Sequence, residues 1–263
     1  MAEVGGKKGI IICIVILFFL TENATTTGQS NRNNHHFVLV HGSCHGAWSW
    51  YKVVSLLRSF AQNVTAIDLA ASGINPKQVS EVPSISDYHR PLMKFMASLP
   101  PLEKVILVGH SFGGLAISQA MEIFPHQVTL SVFVTAMMPG PGLNISTLMQ
   151  EMLRRQDFQQ DNLYTYDNGP NNPVTAFTFG PKFLASKVYQ LSPPEDLALA
   201  TSLIRPLGIY SFEDMSRLLK LSIKKYGSVR RVFVMPDEDN VTPKDIQEWM
   251  IKGNPPDERR AMN

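Results

Sequence analysis

A serine framed by glycines, placed between an apolar strand and a helix, constrains this chain more than any other feature. The apolar run 105–108 leads into the pentapeptide 109–113, which reads Gly-His-Ser-Phe-Gly, and residues 115–124 have helical character. A Gly-x-Ser-x-Gly turn in this strand–turn–helix context is typical of a nucleophile elbow. The glycines permit a strained turn, so we predict that the hydroxyl of Ser111 stands clear of the sheet. The alternative is a glycine-rich turn with an incidental serine.

The rest of the chain alternates between strand-like and helix-like segments. Short apolar runs at 37–40, 64–69, 105–108, 128–135 and 229–235 predict strands. Segments with helical apolar spacing or helix stop signals predict helices at 48–60, 85–99, 115–124 and 243–251. Strands that alternate with helices favour an α/β class with a mostly parallel sheet and helices on both faces.

A long insertion interrupts this alternation. Between residues 139 and 226 we find no clean strand, only helical stretches, of which 182–190 and 194–203 are the clearest. An insertion rich in Met, Phe and Leu between two sheet strands is typical of a helical cap over a pocket, although a plain helical elaboration would look the same. We therefore predict a leader and linker over 1–34 and one domain over 35–263, with a cap at about 139–226.

Composition excludes several classes of protein. The chain has 263 residues, 44% of them hydrophobic, and a net charge of +2, with no basic cluster that alternates with aromatic residues. A nucleic acid is therefore not an expected partner. The only cysteines, Cys13 and Cys44, cannot form a disulfide framework, and no zinc-type Cys/His spacing occurs, so we expect no metal.

The first residues have a separate character. Lys7 and Lys8 precede the apolar run 10–20, and small residues follow, as in a secretory signal peptide. The run is short for a membrane-spanning helix. We expect the secretory route or an extracellular location if residues 1–28 are cleaved, and a cytoplasmic enzyme with an extension otherwise. Any contact with a membrane is expected only through this segment.

Chemistry at Ser111 requires groups that the sequence places around it. A serine hydroxyl needs a base for its proton and donors for the oxyanion that forms. The backbone N–H of Phe112 opens the helix, and that of Ser43 leaves the end of the first strand, so we assign both as oxyanion donors. Asp239, which follows the strand at 229–235, is our choice for the acid that orients the base; Asp237 and Glu238 are alternatives.

The base itself is hard to place. All seven histidines precede Asp239. On a strand, His110 should direct its side chain away from that of Ser111. His41 and His45 are expected to hold their loop by hydrogen bonds rather than act as the base. Without a triad histidine, only residual catalysis is expected.

Taken together, these motifs resemble the plant methylesterase family, the salicylate-binding-protein-like and hydroxynitrile lyase branch of the α/β-hydrolases. The resemblance covers about residues 37–258. The motifs that carry it are FVLVHGSCHGAW (37–48), DLAASG (68–73), GHSFGG (109–114), GPKFLA (180–185), PEDLALA (194–200) and YGSV (226–229).

The resemblance implies a serine carboxylesterase that hydrolyses small methyl esters such as methyl salicylate, methyl jasmonate or methyl indole-3-acetate, without metal or cofactor. It places Ser111 on the family nucleophile, Asp239 on its acid, and Ser43 and Phe112 on its oxyanion donors. Gly42 favours an esterase over a hydroxynitrile lyase, in which a hydrogen-bonding side chain tends to stand there. A non-catalytic homologue that binds a small acid or ester is the other alternative.

The carboxyl-terminal end departs from the family pattern. Family members continue past the segment at 247–251 into a last strand, a loop that carries the catalytic histidine, and a closing helix. We expect this chain to be a truncated form without that base, strand and helix, and therefore an impaired esterase. The acyl specificity and the oligomeric state are left open by the sequence.

Overall fold

The structure is a computed structural model that describes residues 34–155 and 160–262. The predicted leader lies almost wholly outside these residues. The described strands are β1 (His36–Val40), β2 (Asn63–Ile67), β3 (Val105–His110), β4 (Val128–Val134), β5 (Leu163–Thr165), β6 (Ala176–Thr178), β7 (Leu207–Gly208), β8 (Arg231–Pro236) and β9 (Glu258–Met262).

The described helices lie between these strands. They are α1 (Tyr51–Ser59), α2 (Ile85–Ser98), α3 (Gly113–Ile123), α4 (Ile145–Arg155), α5 (Pro181–Phe183), which continues as a π-helical turn (Leu184–Val188), α6 (Pro194–Leu203), α7 (Phe212–Leu218) and α8 (Lys244–Gly253). Short 3₁₀ turns occur at Ala47–Trp50, Val79–Glu81, Pro125–Gln127 and Tyr226–Ser228. None of these helices combines the length and the apolar character needed to cross a membrane.

Six strands form one central sheet in the order β2-β1-β3-β4-β8-β9, and every neighbouring pair is parallel. The inner strands are buried almost throughout, and apolar clusters cover both faces of the sheet. This explains why their sequences are continuous apolar runs rather than alternating ones. The α/β-hydrolase architecture inferred from the sequence is confirmed. The carboxyl ends of all six strands meet at one edge, where ligands bind in such sheets.

The predicted absence of a last strand is wrong. β9 pairs with β8 over five residues, from Val232↔Glu258 to Pro236↔Met262. The amide of Asp257 donates to the carbonyl of Arg231 at 3.0 Å, and the amide of Asp237 donates to that of Met262 at 2.9 Å. The sequence Glu-Arg-Arg-Ala-Met did not indicate a strand because, at the edge of the sheet, most of its side chains are at least partly exposed.

The insertion is not purely helical. Residues 163–208 contribute a three-stranded antiparallel sheet, β5-β6-β7, beside the helices. These strands have only two or three residues, too few for a period to be recognised. The helix predicted at 194–203 is confirmed, whereas 182–190 is a short α-helix that continues as a π-helical turn. The boundaries given for the cap stay a prediction.

Candidate active site

Ser111 lies at a sharp turn between β3 and α3. Its φ angle is 52°, in the left-handed region that non-glycine residues rarely adopt. Its carbonyl accepts hydrogen bonds from the amides of Gly114 (3.1 Å) and Met137 (2.9 Å), which hold the turn in place. Such strain persists only where the surroundings impose it, and it is concentrated at functional sites.

Glycine at position 113 allows the helix to approach the neighbouring strand. A Cβ at Gly113 would collide with the carbonyl oxygen of His41 at the end of β1. Helix α3 therefore begins directly behind β1, and its first residues are buried. This close approach puts the amino end of α3 beside the loop that follows β1, so the two predicted sources of oxyanion donors become neighbours.

Two cavities meet at Ser111. The first has a volume of about 200 Å³, and no charged side chain among the described residues lines it. Its walls come from the elbow, from α4 and from the insertion; they include Met149, Met152, Phe177, Phe179, Leu207, Tyr210 and Met215. An uncharged, mostly apolar wall suits the carbon skeleton of an uncharged ligand.

The second cavity has a volume of about 130 Å³ and is more polar. It shares five lining residues with the first cavity: Ser43, Ser111, Phe179, Val241 and Thr242. Its other walls include His45, His110, Thr135, Lys187, Gln190, Asp239 and Met262, the last at the end of β9. Ser111 therefore borders both cavities, of which only the second is lined by charged side chains.

The two proposed oxyanion residues lie at this junction. Ser43 and Phe112 both border the first cavity, together with Ser111. Among the described residues, neither backbone amide donates a hydrogen bond to another part of the protein. For Phe112 this follows from its position at the amino end of α3, where the first amides of a helix have no acceptor within the helix. Both amides are thus available to a ligand.

Asp239 borders the second cavity and is held by three donors. One carboxylate oxygen accepts from the hydroxyl of Thr135 at 2.5 Å, and the other accepts from the amides of Val241 (2.8 Å) and Thr242 (2.9 Å). Of the alternatives, Asp237 forms an ion pair with Lys244 at 2.8 Å. Glu238 is exposed and does not line either cavity.

Sequence reasoning missed Thr135. It follows β4, the strand next to β3, and its φ angle of 40° is also left-handed. The only available signal was its position at the carboxyl end of a strand adjacent to the elbow. That signal does not reveal a partner 104 residues further along the chain.

His41 and His45 use both of their ring nitrogens within the protein. His41 donates from Nδ1 to the carbonyl of Gly42 (2.8 Å) and accepts the amide of Leu69 at Nε2 (3.2 Å). His45 donates to the carbonyl of Ser43 (2.7 Å) and accepts from the hydroxyl of Tyr189 (2.8 Å). Burial lowers the pKa of each to about 4, so both rings are neutral at pH 7. They hold the loop after β1.

His110 is the last residue of β3. Its ring packs edge-on against that of Trp50, with the ring centroids 6.3 Å apart, and it borders the second cavity together with Ser111 and Asp239. The side chains of His110 and Ser111 can both border this cavity because it lies at the carboxyl ends of the strands. Burial lowers the pKa of His110, the carboxylate of Asp239 opposes that shift, and His41 adds to it.

Cys44 offers no chemistry here. Its thiol is buried and donates to the carbonyl of Phe177 at 3.6 Å. Burial raises the pKa of the thiol to about 12, which keeps it protonated and unreactive. In residues 34–155 and 160–262, no group of three or more His, Cys, Asp or Glu side chains is arranged to hold a metal ion.

Comparison with known proteins gives a consistent pattern. A sequence profile of the alpha/beta hydrolase family matches residues 37–260. Methyl jasmonate esterase 1 of Vitis vinifera is 55% identical over 227 residues, which cover 86% of this chain and 87% of that protein. Salicylic acid-binding protein 2 of Nicotiana tabacum is 45% identical over 217 residues, or 82% of this chain and 83% of that protein.

A solved structure agrees with these relatives. The crystal structure of tomato methylketone synthase I in complex with 2-tridecanone superposes with a TM-score of 0.84 and is 54% identical. The match covers 88% of this chain and 89% of that one. Sequence and fold thus point to the same group of proteins over nearly all of the described residues.

Proposed function

This chain belongs to the plant methylesterases of the α/β-hydrolase family, a family of carboxylic ester hydrolases, and on that premise we propose that Ser111 attacks the methyl esters of small apolar acids. The observation that carries the proposal is the left-handed turn at Ser111. That turn is surrounded by the unused amides of Ser43 and Phe112 and by two cavities, of which only the second is lined by charged side chains.

The proposed reaction begins when the ester carbonyl lies between Ser111 and the two amides. Attack by the serine oxygen converts that carbonyl into a tetrahedral oxyanion, to which Ser43 and Phe112 donate. A single oxyanion donor typically lowers the barrier by about 3 kcal/mol. Asp239, fixed by three donors, supplies a stationary negative charge that stabilises a positive charge formed in the second cavity during proton transfer.

The first cavity supports an acyl group with an uncharged, apolar body. Its volume of about 200 Å³ favours small acyl groups, and its aromatic and Met side chains suit flat or ring-shaped ones. Methyl jasmonate, methyl salicylate and methyl indole-3-acetate are the substrates we propose. Retention of a free acid is less well supported, because none of the described residues that line this cavity has a cationic side chain to pair with a carboxylate.

We propose that the arrangement of the described residues by itself supports only slow turnover. Among the described residues, no histidine ring is hydrogen-bonded to the side chain of Ser111 or of Asp239. A serine esterase without an optimally placed base keeps the contribution of its oxyanion donors but loses most of the rest of its rate enhancement.

Release of methanol from a panel of methyl esters tests this function. The wild-type chain should release methanol from at least one ester with an apolar acyl group. An activated ester should give a burst of alcohol equal to the enzyme concentration, because Ser111 is acylated. Ser111→Ala should remove both signals, while Ser59→Ala, at an exposed serine in α1, should change neither. A burst that survives Ser111→Ala would refute the assignment.

The likeness to methylketone synthase I, a variant of which was solved with β-ketoheptanoate, supports a second candidate, the cleavage of β-keto methyl esters. Hydrolysis would give methanol and a β-keto acid, which loses carbon dioxide to give a methylketone. Incubation with a short-chain β-keto methyl ester, followed by measurement of methanol and ketone, distinguishes the candidates. Ketone formation faster than the free β-keto acid decarboxylates in buffer would support the second one.

A further inference from the structure

We infer that the phenol hydroxyl of Tyr210 binds a keto oxygen on the acyl body of the substrate and thereby sets the selectivity of the first cavity. The inference rests on the proposed ester hydrolysis and names the chemical class of the acyl group. One observation carries it. In a cavity whose walls are mostly apolar, this hydroxyl is buried and has no hydrogen-bond partner among the described residues.

Tyr210 differs from the other polar side chains that the described residues contribute to the first cavity. Ser43, Ser111 and Thr242 also border the second cavity and so lie at the junction of the two. Tyr164 is 44% exposed, so water can reach it. Tyr210 is only 7% exposed and borders the first cavity alone. Its hydroxyl is therefore the polar group that a buried acyl body meets in this wall.

Backbone hydrogen bonds on either side hold Tyr210 in place. The amide of Ile209, the preceding residue, donates to the carbonyl of Thr175 at 2.8 Å. The hydroxyl of Ser211, the following residue, accepts from the amide of Asp214 at 3.3 Å and caps the amino end of α7. The backbone that carries the phenol ring is thus fixed between the small sheet and a helix.

The ring of Tyr210 is also fixed by its neighbours. It packs against the buried ring of Tyr88 in α2, with the ring centroids 6.0 Å apart. A Cβ at Gly208 would lie 3.1 Å from the hydroxyl oxygen of Tyr210, so a glycine there leaves room for the hydroxyl. Gly208 borders the first cavity as well. A hydroxyl held at the cavity wall in this way binds a ligand without a further loss of side-chain freedom.

An unpaired buried hydroxyl favours a ligand that supplies an acceptor. A buried polar group without a partner bears the full cost of its removal from water, and most such groups in proteins are paired. A site of this kind discriminates against ligands that present only carbon to the hydroxyl. Burial raises the pKa of Tyr210, so the hydroxyl stays protonated at neutral pH and can donate.

A ketone fits this donor better than other oxygen groups do. A carboxylate would bring an unpaired charge into a cavity where no described residue offers a cation, and burial of such a charge is costly. Between an alcohol and the phenol, one of the two protons would stay without an acceptor, whereas a keto oxygen only accepts. The amides of Ser43 and Phe112 already serve the ester carbonyl in the proposed reaction. We therefore expect the keto group on the acyl body, as in methyl jasmonate.

A matched pair of esters tests this inference: methyl jasmonate, and the same ester with its ring ketone replaced by a methylene group. The wild type should prefer the keto ester by about tenfold or more in kcat/KM. Tyr210→Phe should raise KM for the keto ester by about tenfold with little change in kcat, because the contact exists before and during the reaction. It should leave the methylene ester unaffected. Tyr166→Phe, at an exposed tyrosine outside both cavities, is the matched control and should alter neither.

Ligand binding separates this inference from the proposed function. In a Ser111→Ala background, which cannot be acylated, calorimetry should show that Tyr210→Phe weakens binding of the keto ester by about tenfold and leaves that of the methylene ester unchanged. A keto ester that binds no better than the methylene ester, or equal losses for both in Tyr210→Phe, would overturn the inference. A preserved binding preference without turnover would count against the hydrolysis alone.

The stability of Tyr210→Phe gives an independent check. Removal of a hydroxyl that has no partner should leave the urea midpoint unchanged or raise it. A clearly lower midpoint would mean that the hydroxyl is paired inside the protein, and the inference would then be wrong.

Discussion

At the scale of single residues, the site depends on two backbone conformations that side-chain-bearing residues seldom adopt. Ser111 and Thr135 both have positive φ angles and end neighbouring strands. Such conformations typically cost about 1–3 kcal/mol each. Burial and hydrogen bonds to the turn offset this cost. The two backbone conformations fix the position of the Ser111 hydroxyl, which we propose to react, and of the Thr135 hydroxyl, which orients a carboxylate.

Thr135 provides a prediction at this scale. Thr135→Ala removes the 2.5 Å hydrogen bond to Asp239 and leaves the two amide donors in place. A hydrogen bond to a charged group is worth about 1.5–3 kcal/mol, so we expect kcat for ester hydrolysis to fall about tenfold or more with little change in KM. Steady-state kinetics measure this. Thr135→Ser keeps the hydroxyl and should retain most of the activity; equal losses in both variants would contradict the role.

At the scale of elements, the site is assembled where strands, helix α3 and the insertion meet. The glycines of the elbow let α3 approach β1, and the insertion supplies most of the first cavity. β9 forms one edge of the sheet and places Met262 beside the second cavity. Each element therefore contributes both to stability and to the shape of the site.

The edge strand β9 gives the first element-scale prediction. Deletion of residues 258–263 should expose the backbone edge of β8 and the apolar side chains of Val232 and Val234. An exposed apolar edge promotes association with other chains. We expect the free energy of unfolding to fall by about 3 kcal/mol or more, given the several hydrogen bonds lost, and soluble aggregates to appear. Urea unfolding and light scattering check this; an unchanged midpoint would mean that β9 contributes little.

Arg205 gives a second element-scale prediction. Its guanidinium, just before β7, donates to the carbonyls of Gly73 (3.1 Å), Asn75 (2.6 Å) and Lys77 (2.6 Å). These hydrogen bonds hold the insertion against the loop that follows β2. Arg205→Lys keeps the charge but loses the planar fork, so amide hydrogen exchange over residues 72–78 should become faster. Arg217→Lys, at an exposed ion pair in α7, should leave that exchange unchanged.

At the scale of the whole molecule, several neutral histidines are built into the interior. Burial lowers the pKa of His41, His45 and His89 to about 4, from an ordinary value of 6.5. The unfolded chain therefore binds more protons than the native one between these values. The contribution of these three histidines to the free energy of unfolding is therefore fully present above pH 6.5, and it is lost as the pH falls towards 4.

This linkage predicts the acid sensitivity of the fold. Each of the three histidines should contribute a slope of up to about 1.4 kcal/mol per pH unit. Urea midpoints at pH 7.5, 6.0 and 5.0 should fall steadily. His89→Gln should flatten the slope, whatever its effect on stability at pH 7.5, whereas the exposed His126→Gln should not. A midpoint that is constant down to pH 5 would show that these rings are already charged in the native state.

Much of the fold could be predicted because its signals are local. Four inner strands are short apolar runs, and the elbow has its glycines and serine at fixed spacing. β9 and the small sheet β5-β6-β7 could not be predicted, since one is polar at the sheet edge and the other has strands of two or three residues. Their strand form depends on backbone hydrogen bonds to distant partners, which leave no period in the sequence.

The sequence by itself determined the class of fold, the elbow and the residue types of the site, because each depends on neighbours a few positions apart. Only the tertiary structure decided that Asp239, and not Asp237, borders the cavity, that Thr135 bonds to it, and that His110 shares that cavity with Ser111. These are contacts between strand ends far apart in the chain. They follow from the order of strands in the sheet, which local patterns do not specify.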